Sequence, residues 1–134
     1  MKNYKIIFFA ALLLAGCGKA VYKDGVYTGV SSADDTGAYG EVSINIADSK
    51  ITDCSFITRQ KDGAIKDENY GKVNGEISNQ DYYAKAQLAV KAMEDYVRQY
   101  RETWDINKID AVSGATIAYN QFVEAVEKAL AQAK

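Results

Sequence analysis

The amino-acid sequence predicts an α+β fold, an antiparallel β-meander packed against two amphipathic helices in a single small domain. Three observations predict this class. Apolar residues recur at every second position in the first half of the chain, as in half-buried strands. In the second half they recur at steps of three and four, as on one face of a helix. With 134 residues and no internal repeat, the chain has room for one domain of ordinary size.

Three strands are predicted between residues 25 and 58. Branched residues alternate along the first two, at Val26, Thr28, Val30, Val42, Ile44 and Ile46. Turn-forming residues at 33–37 and at 47–50 separate the strands, which predicts hairpin connections.

The third strand carries an irregularity. Ile51 is followed by Cys54 and Phe56, so the alternation is broken by a step of three. This predicts a bulge near residues 52–53. Cys54 is then expected to point inward as a small hydrophobic residue.

Residues 60–78 are polar, contain glycine and show no clear period. A structureless segment of this length is uncommon in a compact domain unless it has a function. The stretch Asp-Glu-Asn-Tyr-Gly at 67–71, which includes Tyr70, is therefore a candidate for lining a ligand site. A solvated connector is the alternative.

Two helices follow. The first is expected to start at Ser78, with Asp81 as a capping-box partner, and to end near Trp104. Its apolar face consists of Tyr82, Ala86, Ala89, Met93, Tyr96, Val97, Tyr100 and Trp104. The second helix is predicted from about Thr116 to Ala133. Its apolar face consists of Tyr119, Phe122, Val126, Ala129, Leu130 and Ala133.

The start of the chain is typical of a secretory signal. Lys2 and Lys5 precede an apolar run from Ile6 to Leu14, and Leu-Ala-Gly-Cys follows, ending at Cys17. That tetrapeptide resembles the bacterial lipobox, which implies cleavage after residue 16 and lipidation of Cys17. An ordinary signal peptide is the alternative. The sequence thus predicts a lipoprotein signal peptide (1–16), a lipidated N-terminus with a short tether (17–24) and a folded domain (25–134) on the extracytoplasmic face of the cell membrane.

The composition excludes several classes of function. The chain has no histidine, so His-based zinc sites, c-type haem attachment and Ser-His-Asp catalysis are excluded, and no catalytic or metal-binding residue is assigned. With Cys17 lipidated, Cys54 has no partner for an internal disulfide. The 16 basic and 18 acidic residues form no basic cluster, so nucleic acid is not an expected partner.

The stretch Asp110-Ala-Val-Ser-Gly-Ala-Thr116 is the strongest candidate for a functional site. Because it opens a helix, its backbone N–H groups and the helix dipole favour an anion. Gly114 and Ala115 are small enough for a phosphate to approach the backbone, and Thr116 adds a hydroxyl. Asp110 is expected to hold the loop by accepting N–H bonds. The alternative is plain helix capping by Ser113.

The same stretch resembles the flavinylation motif of the FMN-binding domain family. Lys23-Asp-Gly-Val-Tyr-Thr-Gly29 is also similar to the opening strand of that family, and residues 39–42 and 51–53 resemble its hairpin. The family includes the covalent-flavin subunits of the sodium-pumping NADH:quinone oxidoreductase and small extracytoplasmic flavoproteins used in extracellular electron transfer.

The resemblance implies that FMN is joined through a phosphoester to Thr116. Asp110, Ser113, Gly114 and Ala115 would form the loop recognised by a separate FAD-dependent FMN transferase, which uses magnesium. The protein would then carry electrons between a membrane oxidoreductase, or another quinone-linked donor, and an external acceptor. Tyr70, Trp104 and Tyr119 are candidates for stacking on the flavin.

Two other functions stay open at this stage. The protein could be a small flavin-dependent reductase acting on a diffusible substrate. It could also be a surface lipoprotein that binds a ligand or partner and carries no cofactor.

Overall fold

The computed structural model describes residues 21–134. The predicted signal peptide and Cys17 lie outside this range. Three antiparallel strands form one sheet in the order β1-β2-β3, and two α-helices follow. The elements are β1 (Gly25–Val30), β2 (Tyr39–Ala47), β3 (Lys50–Arg59), α1 (Gln80–Thr103), a 3₁₀ turn (Ile106–Lys108) and α2 (Thr116–Gln132). The predicted α+β class is confirmed.

The β2–β3 hairpin has the geometry that the sequence predicts. Asp48 and Ser49 have φ values of 53° and 64°, as in a type I′ turn, whose twist matches that of the flanking strands. Asn45 pairs with Asp53 while Ile46 pairs with Ile51, so Thr52 has no partner in the ladder. The predicted bulge is confirmed, and it places Cys54 in the core with 1 % exposure.

The alternating valines of strand β1 face solvent rather than the core. Val26 is 68 % exposed and Val30 41 %, whereas Tyr27 and Gly29 face the helices. Helix α2 lies directly on Gly29, because a Cβ atom built there would stand 1.9 Å from the carbonyl oxygen of Ala125. The period of two thus predicts the strand, while helix packing decides which side is buried.

The core lies between the sheet and the two helices. Helix α2 packs on β1 and β2, and α1 packs on β3. Phe122 forms the centre, with its ring 4.9 Å from Phe56, 5.8 Å from Tyr100 and 6.3 Å from Tyr96 between centroids. These separations are those of favourable aromatic pairs, so the inner faces of both helices are held to the sheet.

Helix α1 departs from the sequence prediction at its start. The prediction of Ser78 as the helix start is wrong, because Asn79 is the N-cap and its side chain accepts from the backbone N–H of Tyr82 at 3.0 Å. Tyr82 itself is 56 % exposed, although it lies on the predicted apolar face. The first buried residue of the helix is Ala86, so its opening turn lies at the edge of the core.

The chain joins the domain before β1 begins. Tyr22 packs against the core, and the backbone N–H of Lys23 donates to the carbonyl oxygen of Ala133 at 2.7 Å. The Asp24 carboxylate accepts from the N–H groups of Asp48 and Ser49. Residues 22–24, assigned to the tether by the sequence, therefore dock on the domain. Neither α1 nor α2 is long and apolar enough to cross a bilayer.

The buried thiol predicts a specific loss of stability at high pH. Burial raises the pKa of Cys54 from 9.0 to about 12, although Arg101 partly opposes this. The thiol ionises more readily in the unfolded chain than in the folded one. Its contribution to the free energy of unfolding is therefore fully present below pH 9.0 and is lost as the pH rises to about 12. We expect urea-unfolding midpoints of the wild type to fall more steeply over this window than those of Cys54→Ala. Equal slopes for the two proteins would contradict this assignment.

Candidate functional site

The loop before α2 contains a tight turn with a glycine at its third position. The backbone N–H of Ala115 donates to the carbonyl oxygen of Val112 at 3.0 Å, and Gly114 has a φ of +86°. This is the arrangement of a type II turn, which requires a positive φ at that position. A Cβ atom at Gly114 would stand 3.1 Å from the Leu88 side chain, so the turn lies against α1.

The start of α2 does not use a side-chain cap. Ala115 is the N-cap residue, and its carbonyl oxygen accepts the first helical bond, from the N–H of Tyr119 at 3.1 Å. Ser113 is exposed and does not cap the helix, so capping does not account for this serine. Within residues 21–134, the N–H groups of Thr116, Ile117 and Ala118 donate to no protein acceptor. These donors, with the positive end of the helix dipole, favour a bound anion.

Thr116 is the first residue of α2, and its side chain faces solvent. Among the described residues, its hydroxyl group forms no hydrogen bond with the protein. The only other loop hydroxyl, that of Ser113, is also exposed. A modifying enzyme can therefore reach Thr116 without breaking an internal contact.

The Asp110 carboxylate does not hold the loop. It accepts no hydrogen bond from the described residues, and the expectation that it holds the loop is wrong. The Gln99 side chain on α1 holds the backbone of Asp110 instead. Its oxygen accepts from the Asp110 N–H at 2.8 Å, and its amide nitrogen donates to the Asp110 carbonyl at 3.1 Å.

Tyr96 holds the turn itself. Its hydroxyl accepts from the N–H of Val112 at 2.9 Å and donates to the carbonyl oxygen of Ala115 at 3.0 Å. The side chain is fully buried, and burial raises the pKa of Tyr96, so the hydroxyl keeps the proton that it donates. The sequence places Tyr96 on the core face of the helix, but nothing in the pattern indicates these polar contacts.

Two adjoining hollows lie beside the loop at 32–38, and the second is lined in part by the first turns of α2. The first, here called the tyrosine hollow, is lined by Thr36, Ala38, Gln60, Lys61, Asp62, Lys66, Tyr70 and Tyr82. The second, the helix hollow, is lined by residues 32–36 and by Ile117, Asn120, Gln121 and Glu124. They share Thr36, and their volumes of 610 and 490 Å³ are typical of small-molecule sites, which span about 300–1,000 Å³.

The loop at 32–38 that joins the hollows is fixed by polar contacts. Burial disfavours the charge of Asp34, but hydrogen bonds from the Thr36 hydroxyl and from two backbone N–H groups outweigh it and lower its pKa. Gln121 donates to the carbonyl oxygen of Ala38 at 3.0 Å, and Glu124 accepts from the Ser32 hydroxyl at 2.7 Å. The loop is therefore tied to the same helix that begins at Thr116.

Of the three predicted stacking residues, the structure brings two to this region. Tyr70 lines the tyrosine hollow, where Lys66 lies 4.7 Å from its ring and Gln87 holds its backbone carbonyl. Tyr119 lies one turn after Thr116, with its half-buried ring edge-on to Tyr96 at 5.6 Å.

Trp104 lies elsewhere. It ends α1 in a left-handed conformation with φ 53°, and its ring packs against Tyr100 at 5.2 Å. It lies at the end of α1, beyond Gln99, the residue bonded to the Asp110 backbone, and it lines neither hollow. We therefore leave Trp104 out of the candidate site.

A larger cavity of 650 Å³ lies between β3, residues 65–68 and α1. Its lining includes the Arg101 side chain, which is already paired with Asp53 and with the carbonyl oxygen of Cys54. Like the two hollows, it is lined by no residue of the 110–116 loop, and it shares Lys66 with the tyrosine hollow.

The chain was compared with known protein families and structures. The model of the FMN-binding domain family matches residues 37–131, which include β2, β3, α1, the whole 110–116 loop and all of α2 except its last residue. Among solved structures, the chain is similar to the CPE2226 protein of Clostridium perfringens, with 27% sequence identity and a TM-score of 0.64. The similarity covers 84% of this chain and 88% of that one. No curated protein matches the chain. Since the family match covers well over half of its length, the chain belongs to the FMN-binding domain family and is a flavin-binding protein with FMN as its cofactor.

Proposed function

We propose that this protein carries FMN in phosphoester linkage to the Thr116 hydroxyl and transfers electrons at the outer face of the cell membrane. The observation that carries the proposal is the position of Thr116. Its exposed hydroxyl has no hydrogen-bond partner within residues 21–134, and three backbone N–H groups at the start of α2 are also unpaired within that range.

The residues present fit the phosphate of FMN. A phosphate diester keeps a negative charge, and unpaired N–H groups at a helix N-terminus are suited to an anion, with about 0.3–1 kcal/mol from the dipole alone. Gly114 allows the positive φ of the turn, which leads the backbone into the start of α2. Thr116 would therefore hold the group covalently, while the first turn of α2 stabilises its charge.

The surroundings also fit an aromatic ring system. Tyr82, Leu88 and Ile117 are 56, 43 and 60 % exposed, and they lie on the two helices near the loop. A planar ring over such side chains would remove apolar surface from water. Tyr70 and Tyr82 in the tyrosine hollow are the residues that we propose contact it, with Tyr119 as a third. When bound, FMN supplies reversible acceptance of electrons, and the protein positions it.

In this proposal the protein is the substrate of an FAD-dependent FMN transferase that uses magnesium. The Thr116 oxygen would form an ester bond to the FMN phosphorus of FAD. The bond from that phosphorus to the bridging oxygen of the pyrophosphate would break, AMP would leave with this oxygen, and the threonine proton would pass to a base of the transferase. The motif residues Asp110, Ser113 and Thr116 have exposed side chains, which the enzyme can read.

Membrane attachment through Cys17 completes the proposal. With Tyr22 docked on the core, only five residue steps separate it from Cys17, and fully stretched they span about 18 Å. Such a tether would hold the flavin close to the membrane surface and to oxidoreductases embedded there. Two or more acyl chains would provide stable anchoring.

A direct test uses flavinylated protein and membranes from its native host. We expect NADH or a quinol to reduce the flavin in the presence of membranes, seen as loss of its visible absorbance, and a soluble acceptor to restore it. Cys17→Ser should keep the flavin but release the protein from the membrane fraction.

Three other outcomes would change the assignment. A flavin that dithionite reduces but membranes do not would reject the electron-carrier role. Rapid turnover of a diffusible substrate would favour a flavin-dependent reductase. A protein that carries no flavin when it is purified from cells containing the transferase would favour the alternative of a cofactor-free binding lipoprotein.

A further inference from the structure

The shape of the 110–116 loop is set by two residues outside it. Tyr96 and Gln99 lie one turn apart on α1, and each bonds to the loop backbone rather than to a loop side chain. Gln99 pairs with both polar backbone groups of Asp110, at 2.8 and 3.1 Å. Tyr96 bridges the two ends of the turn, from the N–H of Val112 to the carbonyl oxygen of Ala115.

The Ala115 carbonyl oxygen is the link to Thr116. It accepts from the Tyr96 hydroxyl at 3.0 Å and from the N–H of Tyr119 at 3.1 Å. The same peptide group joins Ala115 to Thr116. A hydroxyl fixed inside the core therefore determines where α2 starts and where the Thr116 side chain is presented.

These contacts leave the loop side chains free for recognition. Asp110, Ser113 and Thr116 are exposed, while Ala115 is 3 % exposed and anchored. A transferase that binds such a loop has less conformational entropy to remove, because hydrogen bonds from α1 already fix the loop backbone. Preorganisation of a reacting group can contribute strongly to the rate of a reaction, and small displacements of the group lower that rate.

We propose that Tyr96 and Gln99 are positioning residues for flavin attachment: they hold the loop from within so that Thr116 is presented to the FMN transferase. This inference rests on the proposed function. Among the described residues, Tyr96 and Gln99 form no hydrogen bond with the Thr116 hydroxyl or with a motif side chain, and their effect passes through the loop backbone.

Helix α1 provides a matched control for Tyr96. Tyr100 lies one turn further along and is equally buried, at 0 % exposure. Its hydroxyl is the one buried side-chain polar atom in residues 21–134 that has no hydrogen-bond partner. Tyr96→Phe and Tyr100→Phe thus delete the same atom from the same helix, but only the first deletion breaks contacts with the loop.

The experiment measures transfer of FMN to the purified folded domain by its transferase, with FAD and magnesium, followed by intact mass. Tyr96→Phe should lower the rate constant of FMN transfer by about tenfold, which corresponds to about 1.4 kcal/mol. The substitution removes the hydroxyl that bonds to the Val112 N–H and to the Ala115 carbonyl. Gln99→Ala should also lower this rate constant. Tyr100→Phe should match the wild type within about twofold, because its hydroxyl contributes no hydrogen bond.

A second readout separates positioning from general destabilisation. In Tyr96→Phe, amide hydrogen exchange at Val112 should accelerate by about tenfold or more, while core amides of β2 exchange as in the wild type. Assays are run well below the unfolding midpoint of each variant, where all proteins are folded. If Tyr96→Phe lost protection evenly across the domain, its hydroxyl would be a general stabiliser and the inference would be wrong.

The remaining outcomes are also decisive. Transfer to Tyr96→Phe at the wild-type rate would overturn the positioning role but leave the attachment site intact. An equal slowing in Tyr100→Phe would also overturn it, because that hydroxyl does not touch the loop. No transfer to the wild-type protein by a competent transferase would reject the proposed function together with this inference.

Discussion

Thr116→Ala should abolish covalent FMN attachment completely. The proposed bond is made by the threonine oxygen, and alanine removes the only atom that can form it while keeping the small aliphatic character of the position. The first turn of α2 should tolerate the change, because alanine is a good helix former and the Thr116 hydroxyl makes no contact within the described residues. Intact mass after denaturation should then show the bare polypeptide.

Two comparisons make this result specific. Thr116→Ser retains a hydroxyl at the same position and should retain covalent flavin, at a lower rate. Thr28→Ala removes an exposed threonine from β1, far along the chain from the loop, and should be flavinylated like the wild type. Covalent flavin that persists in Thr116→Ala would place the bond on another side chain, with Ser113 the nearest hydroxyl in the loop, and the proposal would be rejected.

Gly29→Ala should be among the most destabilising single substitutions in the sheet. A Cβ atom at this position would stand 1.9 Å from the carbonyl oxygen of Ala125 and 2.7 Å from the backbone nitrogen of Ala129. Both atoms belong to the α2 backbone, so a side-chain rotation cannot relieve the clash and the helix must move. Overpacking of this kind costs about 3 kcal/mol, at the upper end of the usual range, which urea unfolding would measure as a lower midpoint.

The suitable control is a glycine with open space around it. Gly63 has a φ of +93°, but an added Cβ atom would meet nothing within 4 Å. Gly63→Ala should therefore cost only the backbone strain, about 1 kcal/mol. If Gly29→Ala cost no more than Gly63→Ala, the close approach of α2 to β1 would be contradicted. Because α2 begins at Thr116, a displaced helix should also slow flavin attachment.

Much of the fold could be predicted because it is encoded by neighbouring residues. The period of two predicts β2, and the step from Ile51 to Cys54 predicts the bulge at Thr52. The steps of three and four predict both helices, with the end of α1 near Trp104. These signals depend on backbone geometry over a few residues, so a single sequence is sufficient to read them.

The start of α2 at Thr116 agrees with the sequence prediction, whereas the capping residues were harder to predict. Ser78 and Ser113 are both good capping residues, yet the caps are Asn79 and Ala115. In the second case the turn closed by Tyr96 decides where the helix begins. The hydrogen bond from a residue 19 positions away outweighs the local preference of a serine.

In the candidate site, too, the local features could be predicted from the sequence and the long-range contacts could not. The sequence by itself determined that Asp110 to Thr116 precedes a helix and offers a hydroxyl beside free N–H groups, because a motif and a helix start are local features. Only the tertiary structure decided that Gln99, rather than the Asp110 carboxylate, holds the loop. It also decided that Trp104 packs on Tyr100 and lines neither hollow, and that α2 packs directly on Gly29. The contacts of Gln99 and Gly29 join residues distant in the chain, and a pattern of hydrophobicity records that a side chain is buried but not which atom it meets.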